Sequence, residues 1–129
     1  MILDTTFVID LIKGRLDAVS KLKEIENSHI QYAITSPTVF ELWSGLVSLE
    51  KSEKEKQKTV SLINEQIIYF LDDKSAEEAG KIDGALIKNG KQIEPEDCMI
   101  AGIAIKNNQV LVTKDPHFER IEGLKVEEY

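Results

Sequence analysis

Met1–Ile12 reads MILDTTFVIDLI, and this stretch decides how the rest of the chain is read. Met1–Leu3 is a short apolar run that stops at Asp4-Thr5-Thr6, the pattern of a buried strand running into a loop. Phe7–Ile12 then carries apolar residues at helical spacing, and Gly14 ends it. A strand, a loop and a helix in quick succession open an α/β unit.

The same alternation continues along the chain. Asp17–Glu26 is predicted as a helix with Val19, Leu22 and Ile25 on one face, followed by a strand over Gln31–Thr35. Ser36 as N-cap and Pro37 at the first helical position start a helix bearing Val39, Phe40, Leu42, Trp43, Leu46, Val47 and Leu49. The mixed-charge run Lys51–Lys58 opens a further helix to about Asn64, and Ile67–Leu71 is a third strand. Ser75 to about Lys88 forms a helix with Ala76, Ala79, Ile82, Ala85 and Leu86 inward, and Glu94-Pro95 starts another to about Lys106. Val110–Thr113 is a fourth strand, and Leu124–Val126 a short fifth. Strands alternating with helices predict a parallel sheet of four to five strands with helices on both faces, in one domain spanning 1–129.

Composition narrows the function. The chain has 129 residues, is 42% hydrophobic and 30% charged, and carries a formal net charge of −7. That balance argues against a basic-patch nucleic-acid binder and against a cationic membrane binder. One cysteine, Cys98, excludes an internal disulfide and a Cys-based zinc cluster, and two histidines are too few for a His-rich metal site. No leader-like segment is seen, no apolar run nears the roughly 18 residues of a membrane span, and the lone cysteine suits a reducing compartment. A soluble cytoplasmic protein is expected.

Four carboxylates stand out by position. Asp4 follows the first strand and Asp115 the fourth. In open α/β sheets, ligand sites lie beyond the carboxyl ends of the strands, so the two share a crevice if their strands are parallel neighbours. Asp97 lies in the first turn of a helix, where an acid offsets the dipole. The positions above it are Ile100, Ala101 and Ala104, so it faces the interior edge and needs a partner, for which a cation is one candidate. Glu41 sits in a lane of small residues, Pro37, Thr38, Ser44, Gly45 and Ser48, that lets a ligand or another element approach. Four acids gathered together repel, and a hard divalent cation such as Mg²⁺ or Mn²⁺ is the usual resolution. One or two such ions can activate water for phosphodiester cleavage.

These segments resemble a known family. MILDTTFVIDLI is similar to the opening of the PIN-domain ribonucleases, PTVFELWSG to their second motif, EPEDCMIAGIAI to their third, and LVTKDPHFERIEGLKV to their closing motif. The four occur in the family's order across almost the whole chain, and the compact length and His-Phe ending resemble the VapC toxins of type II toxin–antitoxin pairs. The resemblance implies a three-layer α/β/α sandwich and a metal-dependent endoribonuclease. It implies Asp4, Glu41, Asp97 and Asp115 as the catalytic and metal-binding acids, with Mg²⁺ or Mn²⁺ as cofactor. Metal-bound water would attack phosphorus, leaving a 5′-phosphate and a 3′-hydroxyl. Thr113 and Thr6 match supporting hydroxyl positions, Thr6 standing where relatives more often have Asn or Ser. Cys98 reads as a small buried hydrophobe, His117 as structural, and Asp10 as outward-facing or bound to Arg15 or a neighbouring Lys. RNA, a cognate VapB-like antitoxin and a second copy of the chain are the implied partners. Phe40, Trp43 and Val47 together with the Lys51–Lys58 segment offer a surface for antitoxin or dimer, the alternative being that Trp43 is core.

Other readings fit less well. A haloacid-dehalogenase-like phosphatase needs a second Asp where Thr6 stands, and a receiver module needs an acidic pair after its first strand. A non-catalytic PIN-like scaffold that binds RNA or supports assembly is the main alternative, but such a domain should have lost one or more of the four acids. If those acids form one site, setting them aside leaves −3 on the rest of the chain, so the acidic balance does not exclude RNA.

Overall fold

The computed structural model describes residues Met1–Tyr129. The order is β1 (Ile2–Leu3), α1 (Thr5–Ile12), α2 (Leu16–Asn27), β2 (Ala33–Thr35), α3 (Ser36–Ser48), α4 (Glu53–Glu65), β3 (Ile67–Tyr69), α5 (Asp73–Lys88), α6 (Pro95–Lys106), β4 (Leu111–Val112), a 3-10 turn (Pro116–Arg120) and β5 (Val126–Glu127). All strand pairs are parallel, in the order β3-β2-β1-β4-β5.

The predicted alternation is therefore the observed one, with five strands. Successive strand residues point to opposite faces, and this sorts the core into two layers. Ile2 and Leu111 face α5 and α6, packing with Leu86, Ile100, Ile103 and Phe118. Leu3 and Val112 face the other way, packing with Phe7 and Val8 of α1, Ile25 of α2, Leu42 of α3 and Ile63 of α4. A sheet covered on both sides reads as continuous apolar runs, as these strands do.

Several local expectations move. Helix α3 begins one residue early: Thr35 is its N-cap and accepts from the Thr38 amide at 3.2 Å, while Ser36 is already helical. The Ser36 hydroxyl instead accepts from the Leu71 amide at 3.0 Å, fastening the chain after β3 to α3. Helix α1 starts at Thr5, two residues before the predicted Phe7, because Asp4 caps it and accepts from the Thr5 amide. In α5, Ala76 and Ala85 are exposed, and Ser75, Ala79 and Leu86 form the buried face. Trp43 is not core: Phe40, Trp43 and Val47 are 62%, 47% and 86% exposed. Cys98 is buried, as expected of a small hydrophobe.

Of the two readings of Asp10, the second holds: it is buried and bound to a lysine rather than turned outward. Its carboxylate takes a salt bridge from Lys114 and a hydrogen bond from the Tyr129 hydroxyl at 2.9 Å. Burial alone would raise its pKa, but the hydrogen bonds from Lys114 and Tyr129 and the nearby Lys114 and Arg15 charges outweigh this and hold it below the usual range. Lys114 stands between Thr113 and Asp115, so this pair ties the loop after β4 to α1. Asp10→Ala is expected to destabilise the fold by about 2 kcal/mol at pH 7, as losing hydrogen bonds to a charged group does. Because the native pKa is depressed, that contribution is present above the ordinary carboxylate pKa of about 3.9 and is lost as pH falls through the native value. Urea unfolding at pH 7 and at pH 3 checks both the size and the sign.

Candidate active site

The chain runs from β1 through β2 to β3 on one side of the sheet, then returns to place β4 and β5 on the other side of β1. Strand order thus reverses at β1 and β4, where an open α/β sheet leaves a crevice beyond its carboxyl ends. The register Leu3↔Val112 brings Asp4 and Thr113, the next residue on each strand, side by side.

Asp4 is only 2% exposed. One carboxylate oxygen accepts from the Thr5 amide at 2.8 Å and the other from the Thr113 hydroxyl at 2.8 Å. The Thr113 hydroxyl also accepts from the Asp115 amide at 3.0 Å, so one side chain joins β1 to the loop that bears Asp115. Asp115 caps the 3-10 turn, accepting from the His117 amide at 2.9 Å, with the His117 Nδ1 3.2 Å from the same oxygen. His117 is exposed and lies beside the crevice rather than in the core; Phe118 is the buried member of the pair.

Asp97 comes from the first turn of α6, as predicted, and Glu41 from the second turn of α3. Glu41 accepts a hydrogen bond from the Thr5 hydroxyl at 2.9 Å. Thr5, which the sequence reading did not single out, makes this contact; Thr6, the supporting hydroxyl implied by the resemblance, is half-buried one position further along α1. The early start of α1 is what turns Thr5 toward α3.

The acids feel one another. Burial pushes the Asp4 carboxyl up to about 6, against the hydrogen bonds from Thr113 and Thr5, and Glu41 and Asp115 add repulsion. Burial likewise raises Asp97 to about 7, with Asp4 and Asp115 adding to it and His117 opposing it. Glu41 is raised by burial and by Asp97, Glu96 and Glu94, against the Thr5 hydrogen bond. Glu96, in the first turn of α6 beside Asp97, thus contributes to the field at Glu41. Strongly raised carboxyls grouped at a crevice mark a functional-site candidate.

The side chains do not form a closed cage: no three carboxylate, imidazole or thiol groups are gathered as a ready-made metal site. The donors nonetheless suit a hard cation. All are oxygens, and the repulsion Asp4, Glu41 and Asp97 take from neighbouring acids is of the sign that a divalent ion relieves.

Comparison with known proteins defines the class to which this fold and crevice belong. The PIN domain profile matches residues 1–124, and the chain belongs to the PIN domain family. Within it, the chain is 30% identical over 129 residues to "Ribonuclease VapC2" of Haemophilus influenzae, covering 98% of this chain and 96% of that protein. It is 29% identical over 128 residues to the "tRNA(fMet)-specific endonuclease VapC" of Salmonella typhimurium, covering 98% and 96%. Among solved structures, VapBC2 from Rickettsia felis bound to a promoter DNA fragment matches with a TM-score of 0.87 and 26% identity, over 99% of this chain and 97% of that one. DNA-bound VapBC from Salmonella typhimurium matches with a TM-score of 0.81 and 30% identity, over 98% and 96%.

Proposed function

We infer that this chain is a VapC-type endoribonuclease, the toxin of a VapBC pair, and that it cleaves RNA phosphodiester bonds in the crevice between β1 and β4. The observation that carries the reading is electrostatic: Asp4, Glu41 and Asp97, from three separate segments, feel one another's charge, Asp4 and Asp97 also feel Asp115, and Asp4 and Asp97 are raised to about 6 and 7. The similarity to VapC ribonucleases supports the same assignment.

Asp4, Asp97, Glu41 and Asp115 are the residues that would hold Mg²⁺ or Mn²⁺. Such an ion supplies positive charge against the phosphate and lowers the pKa of water. The chain's own contribution is orientation. Thr113 fixes Asp4 against the loop that carries Asp115. Thr5 fixes Glu41. The low polarity that raises Asp4 and Asp97 also strengthens their attraction for a cation.

The whole chain, 1–129, acts as one domain in this reading, and it works in the cytoplasm. No helix is long and apolar enough to cross a membrane. The exposed Phe40, Trp43 and Val47 of α3 support a protein partner on that face, a VapB-like antitoxin or a second copy in a homodimer. The solved relatives are VapBC complexes, which supports the antitoxin.

RNA cleavage by purified protein tests the function. Initiator tRNA, the substrate in the Salmonella relative's name, belongs beside ribosomal and messenger RNA. Cleavage with Mg²⁺ or Mn²⁺ is expected to stop with chelator and to leave 5′-phosphate ends. RNA binding is expected to weaken without divalent ions, because the crevice then repels phosphate. Tight, metal-independent RNA binding with no cleavage would favour the non-catalytic scaffold.

A further inference from the structure

Three threonine hydroxyls lie in a line between β2, α3 and α1. Thr35 and Thr38 are fully buried and Thr5 is 6% exposed. Thr35 Oγ1 is 3.1 Å from Thr38 Oγ1, which is 3.0 Å from Thr5 Oγ1, which is 2.9 Å from Glu41 Oε1.

Proton counting fixes the direction of this line. Each hydroxyl has one proton to donate. With Glu41 ionised, Thr5 spends its proton on the carboxylate, so Thr38 must donate to Thr5. Thr35 must then donate to Thr38, and it accepts from the Thr38 amide. Every hydroxyl proton points toward Glu41, an arrangement in which each bond polarises the next.

Helix capping does not account for this. The cap needs only the Thr35 oxygen and the Thr38 amide. The Thr38 hydroxyl is surplus to it, and a valine would fill the same space. Glu41, in turn, is anchored by little else: its hydrogen bond to protein is the one from Thr5, while Asp97, Glu96 and Glu94 repel it.

We propose that the Thr35–Thr38–Thr5 chain holds the Glu41 carboxylate in the crevice for divalent-cation binding, with Thr38 a positioning residue that touches neither cation nor RNA. The inference rests on the reading of the crevice as a cation site. Groups that orient a metal-ligating carboxylate typically contribute 10–100-fold to metal affinity or activity.

The test is calorimetric titration of Mn²⁺ into the full chain, with a thermal melt of each variant. Thr38→Val is expected to weaken Mn²⁺ binding about 10–100-fold, and Thr38→Ser to restore it. Thr5→Val breaks the last link and is expected to cause a similar loss, so the proposal stays testable if Thr38→Val folds poorly. In a Glu41→Ala background, Thr38→Val is expected to cost nothing further. Wild-type affinity in folded Thr38→Val, or an equal loss without Glu41, overturns the chain while leaving the cation site standing. A wild-type chain that takes up no Mn²⁺ overturns the cation site itself, and the positioning chain with it.

Discussion

Asp97→Asn is expected to lower RNA cleavage by roughly 10²–10³-fold, the scale of losing one preorganised electrostatic group, and at the same time to raise the melting temperature of the metal-free protein. The two effects have one cause. The Asp97 carboxyl is raised by burial and by repulsion from acids that include Asp4, Asp115 and Glu94, with a partial offset from His117, and no hydrogen bond is among these leading causes. Asparagine has the same shape and removes the charge without removing a bond. The pKa raised to about 7 means that, between the ordinary carboxylate value near 3.9 and pH 7, the native state holds a proton that the unfolded state has released. Stability from this group therefore falls as pH rises through that window. Asp4, raised to about 6, adds a fall of the same sign, on the order of 3 kcal/mol by the same linkage. In chelator, the wild-type melting temperature should drop between pH 5 and pH 7.5 on account of these two groups, and the Asp97→Asn curve should be flatter and higher at pH 7.5. Mn²⁺ reverses the order. An ion bound only by the native state stabilises by about 2.7 kcal/mol at a hundred times its dissociation constant, and the wild type gains more of this than the variant. Melts in chelator and in Mn²⁺ at both pH values, beside cleavage rates, settle the matter. A variant that melts lower than wild type in chelator at pH 7.5, or that cleaves at the wild-type rate, removes Asp97 from the site.

What the sequence could and could not disclose follows from the range of the interactions involved. The acids were legible because each follows a strand or opens a helix, and both signals are local. That Asp4 and Asp115 share a crevice depended on β1 and β4 being neighbours. Their pairing spans more than a hundred residues, which no local pattern reports. The contact from Thr5 to Glu41 was not legible, because the start of α1 was placed at Phe7 and Thr5 was left in a loop. A cap by Asp4 moves that start to Thr5, and one residue on a helix is a rotation of about 100°. The cap of α3 moved from Ser36 to Thr35 in the same way, and with it the first member of the threonine chain. Thr38, one turn before Glu41 on the same face, was visible as a small neighbour, but its role needed the position of α1. Trp43 could be read as core or as surface because α3 is apolar on more than one side. Only packing shows that Leu42 and Leu46 take the buried face.

Gly102→Ala is expected to destabilise the protein by about 1–3 kcal/mol, the usual cost of overpacking, although helix propensity alone favours alanine by up to about 1 kcal/mol. A Cβ at Gly102 would stand 2.6 Å from the Ser75 carbonyl oxygen, 2.7 Å from the Ala79 amide nitrogen and 2.9 Å from the Ala79 Cβ. Comfortable carbon contacts lie near 3.5–4.0 Å, and two of the three atoms belong to the α5 backbone, so no side chain can rotate away. Helices α5 and α6 must separate instead, opening the core layer of Leu86, Ile100, Ile103 and Phe118. Two other glycines supply the control. Gly80 and Gly84 lie on α5 with nothing near an added Cβ, and both are exposed. Gly80→Ala and Gly84→Ala are each expected to stabilise by about 0.5–1 kcal/mol. The same substitution thus has opposite signs at positions that share a helical backbone and differ in what faces them. Urea unfolding of the three variants measures the difference. The consequence reaches the crevice, because α6 carries both Gly102 and Asp97. A helix pushed away from α5 cannot keep Asp97 in its place relative to Asp4 on β1. Gly102→Ala should therefore lose Mn²⁺ affinity and cleavage under conditions where it is still folded, while Gly80→Ala and Gly84→Ala retain both. Stability equal to or above wild type in Gly102→Ala would show that α5 and α6 are not packed as closely as this backbone approach requires.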